Sequence, residues 1–441
     1  MAFKQRSVAA ALAAAFLAGP WELDGLVERA RQALAIRGRW LRPLARRVLK
    51  AFPQDRRPSL GMLTKFIGDD AGFLRYGATA SVAIIARRAE LLPRAGAAST
   101  WRLPTFATSG DLAEWLGISC GELDWFADCN GRTTRLPPGP LHHYTYRWLP
   151  KRSGGFRLLE TPKSRLKAFQ RELLHGLLDH IPPHAAAHGF RARRSIVTFA
   201  APHAGRRVVL RMDLRNFFSS INAARVVGLF MTAGYSESVS RLLAGLCTNR
   251  AAEFVWQSAV FNDKTPRSTD MPDAELLRRP HLPQGAPTSP ALANLCAYRL
   301  DCRLDGLARS AGAAYSRYAD DLLFSGGAEF ARCVQRFRVH ASAIAQDEGF
   351  QIHDRKTRIM RRGVRQHAVG LVLNDRPNIH RQDFDRLKAI LHNCARHGAE
   401  SQNRRAHANF QAHLSGAVAH VAMVNPQRGA RLRAMLARIA W

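Results

Sequence analysis

Acidic residues are scarce: 34 Asp and Glu face 66 Lys and Arg in 441 residues, a formal net charge of +32. Such an imbalance excludes an ordinary near-neutral enzyme surface and points to a polyanionic partner. Cysteine is too sparse and too scattered to form a scaffold. The seven residues (Cys120, Cys129, Cys247, Cys296, Cys302, Cys333 and Cys394) never fall in a C-x-x-C pair. An odd, dispersed set disfavours both a disulfide framework and a zinc ribbon, and fits a reducing compartment. Long apolar runs are missing too; no segment approaches the roughly 18 uninterrupted apolar residues of a membrane span. Residues 8–18 (VAAALAAAFLA), behind Lys4 and Arg6, have the length of a signal-peptide core. A cytosolic amphipathic helix explains the same Ala-rich run, and the unpaired cysteines argue against export. A cytoplasmic location is therefore expected, with no membrane partner. What remains is ordinary for a folded chain, 46% apolar and 23% charged residues. The basic excess therefore belongs to a globular body and not to a disordered tail.

Residues 20–92 read as helices, with Leu23, Leu26, Val27, Ala30 and Leu34 at helical spacing and Arg37, Arg39, Arg42, Arg46 and Arg47 behind them. A helical cap with a solvated basic face accounts for this pattern. Residues 94–100 (RAGAAST) are small and loop-like, a boundary signal. Thr108 or Ser109 is placed to cap a helix carrying Leu112, Trp115 and Leu116, and Leu123, Trp125 and Phe126 begin a second one. From Tyr144 the pattern changes to short β-like runs separated by Gly and Pro turns and joined by helices. That predicts an α+β body rather than a doubly wound sheet. Helix returns from residue 367, rich in arginine. The expected divisions are 1–95, 105–140, 141–365 and 366–441.

In so basic a chain, carboxylates inside apolar strands are informative, because a buried charge needs a cation or a set of hydrogen bonds. Asp213 ends the strand-like run at residues 208–214, just before Phe217 and Phe218. Asp320 and Asp321 lie within Tyr315, Ser316, Arg317, Tyr318, Ala319, Asp320, Asp321, Leu322, Leu323 and Phe324, which reads as strand, tight turn, strand. Successive strand residues face opposite ways, so the pair can serve one site only with the turn at the pair itself. Three carboxylates then offer hard oxygen ligands suited to Mg²⁺. Two such ions about 4 Å apart can activate a hydroxyl and neutralise a leaving pyrophosphate. The plainer alternative is an Asp pair that caps a surface hairpin.

The segment His281, Leu282, Pro283, Gln284, Gly285, Ala286, Pro287, Thr288, Ser289 and Pro290 is a rigid loop feeding a helix through an N-cap Ser289 and an N1 Pro290. The helix is expected to run on through Leu292, Leu295, Cys296 and Leu300. Gly285 allows a base or ribose to approach the backbone, and Gln284 offers both a donor and an acceptor. A plain helix-start loop would look the same.

Taken in order, Lys-x-x-Gly-Gly-x-Arg at residues 151–157, the Asp213 strand, Leu-Pro-Gln-Gly-Ala-Pro-Thr-Ser-Pro at 282–290 and Tyr-Ala-Asp-Asp at 318–321 make the chain resemble bacterial reverse transcriptases. Retron-type enzymes look closest. The resemblance covers roughly residues 141–390. It implies an α+β right-hand polymerase, with fingers and palm over 141–365 and a helical basic thumb over 366–441. A helical extension precedes them at 1–95, with a small helical module at 105–140.

The resemblance further implies that Asp213, Asp320 and Asp321 hold two Mg²⁺ ions, with the Leu214 carbonyl as an additional ligand and Mn²⁺ able to substitute. Phe218 matches the aromatic gate that leaves no room for a 2′-hydroxyl, so dNTPs are the expected substrate. Lys151 and Arg157 match the residues that grip the triphosphate, and Gln284 and Gly285 match the loop beside the incoming nucleotide. Lys356 matches the lysine proposed to protonate pyrophosphate. The segment at His188, Gly189, Phe190 and Arg191, with Arg193 and Arg194, matches one that contacts template phosphates. Implied partners are an RNA template, for retrons a cognate structured noncoding RNA, the DNA product and an effector protein in antiphage defence.

Three departures stand out: Val369 where threonine is usual, Ser219 where proline is common, and Ile352-His353 in place of Leu-Asn. The residues after Lys356 suffice for a thumb but not for an additional nuclease domain of usual size. A group II intron-like or other defence-associated reverse transcriptase, and a non-catalytic RNA-binding protein on the same scaffold, are the alternatives.

Overall fold

The computed structural model describes residues 3–36, 38–53, 58, 60–77, 80–83, 100–151, 155–257 and 274–441. Two compact units result, Met1–Leu92 and Pro93–Trp441. The loop expected at 94–100 lies outside the described residues except for Thr100, as does the turn at 152–154.

The first unit contains α1 (Phe3–Leu17), α2 (Leu23–Leu34), α3 (Leu41–Ala51) and α4 (Leu60–Gly68). Its core gathers Val8, Leu12, Phe16, Leu26, Val27, Leu44, Val48, Leu63 and Ile67. The Ala-rich run differs from the amphipathic helix expected of it. Ala9, Ala11, Ala13 and Ala15 are buried along with Val8, Leu12 and Phe16, so α1 is covered around most of its circumference. Small side chains allow this, because neighbours can approach from several sides. Its C-terminal carbonyls are satisfied by Arg29, which donates to Ala15 O at 2.8 Å and Phe16 O at 3.2 Å.

The second unit opens with α5 (Ser109–Trp115) and α6 (Cys120–Ala127), each started by a capping box, Thr108 with Asp111 and Ser119 with Glu122. A hairpin of β1 (Tyr144–Pro150) and β2 (Phe156–Pro162) leads into α7 (Ser164–Gly176). Then come α8 (Ile196–Ala200), β3 (Val208–Arg215), α9 (Ala223–Thr232), α10 (Glu237–Cys247) and α11 (Ala274–Arg278). The expected long helix after residue 289 is broken at Ala297 into α12 (Ser289–Cys296) and α13 (Tyr298–Ser310). After these, β4 (Ala313–Tyr318), β5 (Asp321–Gly326), α14 (Ala328–Asp347), β6 (Gln351–Ile352) and β7 (Arg358–Arg361) complete the main sheet. Three short strands follow, β8 (His367–Ala368), β9 (Leu371–Val372) and β10 (Asn378–Ile379). The helices α15 (Arg381–His397), α16 (Phe410–Val424) and α17 (Pro426–Leu436) close the chain.

The main sheet is antiparallel, ordered β4-β5-β3, with β7 and β6 both on the far edge of β3. Side chains alternate across it. Val208, Leu210, Met212 and Leu214 of β3, with Leu322 and Phe324 of β5, enter the core beneath α13 and α14. Val209 and Leu323 point the other way, into the core shared with the C-terminal helices. Arg211 and Asp213 share Val209's face and Asp321 shares Leu323's, so period-two geometry alone brings these charges onto one surface.

Candidate active site

Asp213 and Asp321 stand directly opposite each other in the β3–β5 register. The hairpin turn lies one residue earlier than expected: Tyr318 pairs with Asp321, leaving Ala319 and Asp320 as the two-residue loop. Asp321 is thus the first residue of a strand, and Asp320 reaches the same site from the turn. The turn is tied to β3 by the Leu214 amide, which donates to Asp320 O at 2.8 Å. Ala319 carries the left-handed backbone the turn requires, at φ +55°.

Each strand carboxylate is held by a cation. Lys356 Nζ lies 3.0 Å from both oxygens of Asp213. Arg211 reaches Asp321 through Nε at 2.9 Å and a terminal nitrogen at 3.2 Å. Both arrangements leave access to water, since Lys356 is 46% and Arg211 26% exposed. Burial, then the charges of Asp213 and Asp321, push the Asp320 carboxyl up to about 6. Asp321 is also raised by burial, with Arg211 opposing the shift.

Among the described residues no three His, Cys, Asp or Glu side chains form a ready metal cage. Asp213 and Asp321 turn their oxygens onto Lys356 and Arg211 instead. The donor chemistry nonetheless fits Mg²⁺, with clustered hard oxygens whose mutual repulsion a divalent cation would relieve.

The loop before α12 abuts the β1–β2 hairpin. Glu160 N donates to Gln284 O at 2.9 Å, and a Cβ on Gly285 (φ +133°) would stand 2.8 Å from Glu160 O, so only glycine fits. Beneath this contact His281 and Glu160 form a buried pair at 2.8 Å. His281 Nδ1 meets Arg279 O at 2.8 Å, so both ring nitrogens face acceptors. Burial pulls the His281 pKa down, but the charge of Glu160 and the hydrogen bonds to Glu160 and Arg279 O together outweigh it and raise the pKa, favouring the imidazolium. Asn249 Nδ2 donates to the other Glu160 oxygen at 2.7 Å. Ser289 is not the cap: Thr288 occupies that position, and Ser289 Oγ donates back to Pro283 O at 2.7 Å.

Phe218 follows β3, its ring 5.6 Å from Phe217 and 6.2 Å from Phe190. Lys151 directly follows β1, its amide donating to Gly155 O, and Arg157 is an exposed residue near the start of β2. His188 is not a surface group. It is buried, bonded to Thr198 at 2.9 Å, and burial pulls its pKa down to about 4. Arg193 and Arg194 are exposed. Sequence reasoning had no role for Arg211, Glu160 or His281. The one available signal was a basic residue two positions before Asp213, on the same face.

Residues 149–372 match the family model for reverse transcriptase (RNA-dependent DNA polymerase). The retron Mx65 reverse transcriptase of Myxococcus xanthus is 41% identical over 78% of this chain and 74% of its own length. This chain belongs to the retron reverse transcriptases. A second Myxococcus xanthus relative, the retron Mx162 enzyme, is 37% identical over 74% of this chain and 65% of its own. The retron Ec86 reverse transcriptase of Escherichia coli is 32% identical over 54% of this chain. The retron chain is accordingly an RNA-directed DNA polymerase with an α+β right-hand fold. The departures at Val369, Ser219 and Ile352-His353 do not remove it from the family.

Proposed function

We propose that this reverse transcriptase extends a primer on an RNA template by two-Mg²⁺ phosphoryl transfer at Asp213, Asp320 and Asp321. The observation that carries the reading is the register of the sheet, which sets Asp213 opposite Asp321 with Asp320 in the adjoining turn. The Leu214 carbonyl is the proposed fourth ligand. Bound Mg²⁺, for which Mn²⁺ can substitute, lowers the pKa of the attacking hydroxyl and neutralises the leaving pyrophosphate. The chain supplies position and charge. The carboxylates fix where phosphorus and primer hydroxyl meet, and Phe218 closes the space below the sugar so that dNTPs are preferred. Lys151 and Arg157 grip the triphosphate as a point charge and a planar fork. Gln284 and Gly285 present backbone and amide beside the nucleotide, on a loop stiffened by Glu160 and His281. Lys356, now resting on Asp213, would be released to face pyrophosphate and protonate it.

We assign fingers and palm to 141–365 and the thumb to 366–441, behind the helical regions 1–95 and 105–140. The template is a cognate structured noncoding RNA, drawn by the net charge of +32. The product is RNA-linked single-stranded DNA made in the cytoplasm, and the setting is antiphage defence with an effector protein. Primer extension on poly(rA)/oligo(dT) with Mg²⁺, comparing dTTP with UTP, tests the reading. Incorporation of dTTP is expected, with loss in Asp320→Ala/Asp321→Ala while RNA binding persists. Equal use of UTP would contradict the Phe218 gate, and incorporation by the double variant would contradict the carboxylate site.

A further inference from the structure

Arg317 immediately precedes the Tyr-Ala-Asp-Asp segment and is fully buried, as is Asp301 on α13. The guanidinium grips both oxygens of Asp301, through Nε at 2.7 Å and a terminal nitrogen at 2.6 Å. That pair alone would satisfy the charge. The second terminal nitrogen does something else, donating to Ala319 O at 3.2 Å and to Asn294 Oδ1 at 3.0 Å. Ala319 is the strained turn residue, a non-glycine at φ +55°, and such a conformation persists only where its surroundings hold it.

Asn294 lies on α12, directly after the loop that carries Gln284, and extends the connection: its Nδ2 donates to Gly189 O at 2.8 Å. Gly189 is pressed so close to the turn that a Cβ there would stand 2.8 Å from Ala319 N. Its segment is bonded along β4, His188 N to Arg317 O and Arg317 N to Ala186 O, both at 2.8 Å. The next residue, Phe190, packs on Tyr318 and on Phe218, at ring distances of 6.3 and 6.2 Å. The guanidinium carbon also lies 5.5 Å from the ring of Phe217. One buried fork therefore touches the β3 exit, the catalytic turn and the helix behind the nucleotide loop, and through Asn294 it reaches the wall beside the proposed sugar gate.

Resting on the polymerase reading above, we propose that Arg317 and Asn294 are positioning residues that lock the Asp320 turn to the Phe190–Phe218 wall and so set both the rate and the preference for deoxynucleotides. Neither touches substrate. They act by holding the turn and the wall at a fixed separation.

The test is steady-state primer extension with dTTP and with UTP, run beside thermal melting, on wild type, Asn294→Ala and Arg317→Met/Asp301→Asn. Asn294→Ala removes the bridge without disturbing the ion pair. Its melting temperature should fall only modestly, because Gly189 O and one Arg317 N–H lose a buried partner, while kcat with dTTP, read at a temperature where both proteins are folded, falls at least about tenfold and the preference for dTTP over UTP narrows. The double variant removes both buried charges together, so it should fold. Its kcat should remain depressed, because Ala319 O and Asn294 have lost their donor. Wild-type kcat and preference in Asn294→Ala, or full kinetic recovery in the double variant, would overturn the proposal and leave Arg317 a purely structural ion pair. Should the double variant fail to fold, Asn294→Ala decides alone. A wild type that extends no primer under these conditions would overturn the polymerase reading and this proposal with it, whereas an active wild type with an unchanged Asn294→Ala overturns only the latter.

Discussion

The two faces of the β4-β5-β3 sheet solve the same electrostatic problem in opposite ways. On the inner face Arg317 and Asp301 are sealed from water, each the other's permanent counterion. On the outer face Lys356 and Arg211 cover Asp213 and Asp321 but remain 46% and 26% exposed, with Asp320 pushed up to about 6 between them. Similar partners, differently solvated, make one arrangement a fixture and the other a set of displaceable cations standing where Mg²⁺ is expected. Exposure and not partner identity separates structure from chemistry here, because the desolvation cost of an unpaired charge grows steeply with burial.

The largest expected effect breaks that contrast from the inside. Asp301→Asn strands a buried guanidinium and should cost about 3–5 kcal/mol in urea denaturation, whereas Arg211→Gln on the wetter face should cost about 1 kcal/mol. Equal losses would erase the distinction between the faces.

A second expectation concerns the far end of the outer face, where His203 bridges Ser316 and Ser325 at 2.6 and 2.7 Å. Burial holds its pKa down at about 3. The unfolded histidine titrates near 6.5 and takes up a proton first as pH falls. Stability is therefore fully present above about 6.5 and is lost progressively towards pH 3, about 2 kcal/mol of it between pH 7 and pH 5. His203→Gln should flatten this part of the stability profile, and an unchanged slope would show that the imidazole is not the titrating group.

Asp320 works in the opposite sense. Its raised pKa means that in the metal-free protein the carboxyl is largely protonated at pH 5.5 and ionised at pH 7.5. Mg²⁺ binding measured calorimetrically should therefore weaken about fourfold between the higher and lower pH, with proton release on binding. Binding independent of pH across this range would place the metal away from Asp320.

The smallest effect compares two hairpins. Ala319 (φ +55°) is pinned by Arg317, whereas Val369, at φ +44° and followed by Gly370, is a β-branched residue in the two-residue β8–β9 turn. Val369→Asn should raise stability by about 0.5–1 kcal/mol by relieving that conformation. A loss would show that Val369's packing against the C-terminal core outweighs the strain.

Much of this was legible in the sequence because it is local. Period-two alternation places Arg211 and Asp213 on one face, the Pro-Gln-Gly loop announces a helix start, and the ordered motifs at 151–157, Asp213, 282–290 and 318–321 carry the family resemblance. What was not legible depends on tertiary pairing. Arg211 and Asp321 are 110 residues apart, Glu160 and His281 121, and no local pattern joins them. Arg317 carries no sequence mark of burial, and its ion pair with Asp301, 16 residues away, and its bonds to Ala319 O and Asn294 appear only in the folded chain. The turn was misplaced by one residue because Ala319 has no sequence mark of a left-handed conformation. The break at Ala297 has no glycine or proline to announce it. The Ala-rich run was given one solvent face because composition alone does not reveal that neighbours cover several sides.

The central claim is that the outer-face carboxylates exchange their resident cations for a metal pair that supports synthesis. Mn²⁺ titration of the protein–primer–template–dNTP complex, read by electron paramagnetic resonance, tests it most directly. Two ions per active complex are expected in wild type, with loss of both in Asp320→Asn/Asp321→Asn while template binding is retained. An extending wild-type complex that holds no Mn²⁺, or a double variant that holds as many ions as wild type, would contradict it.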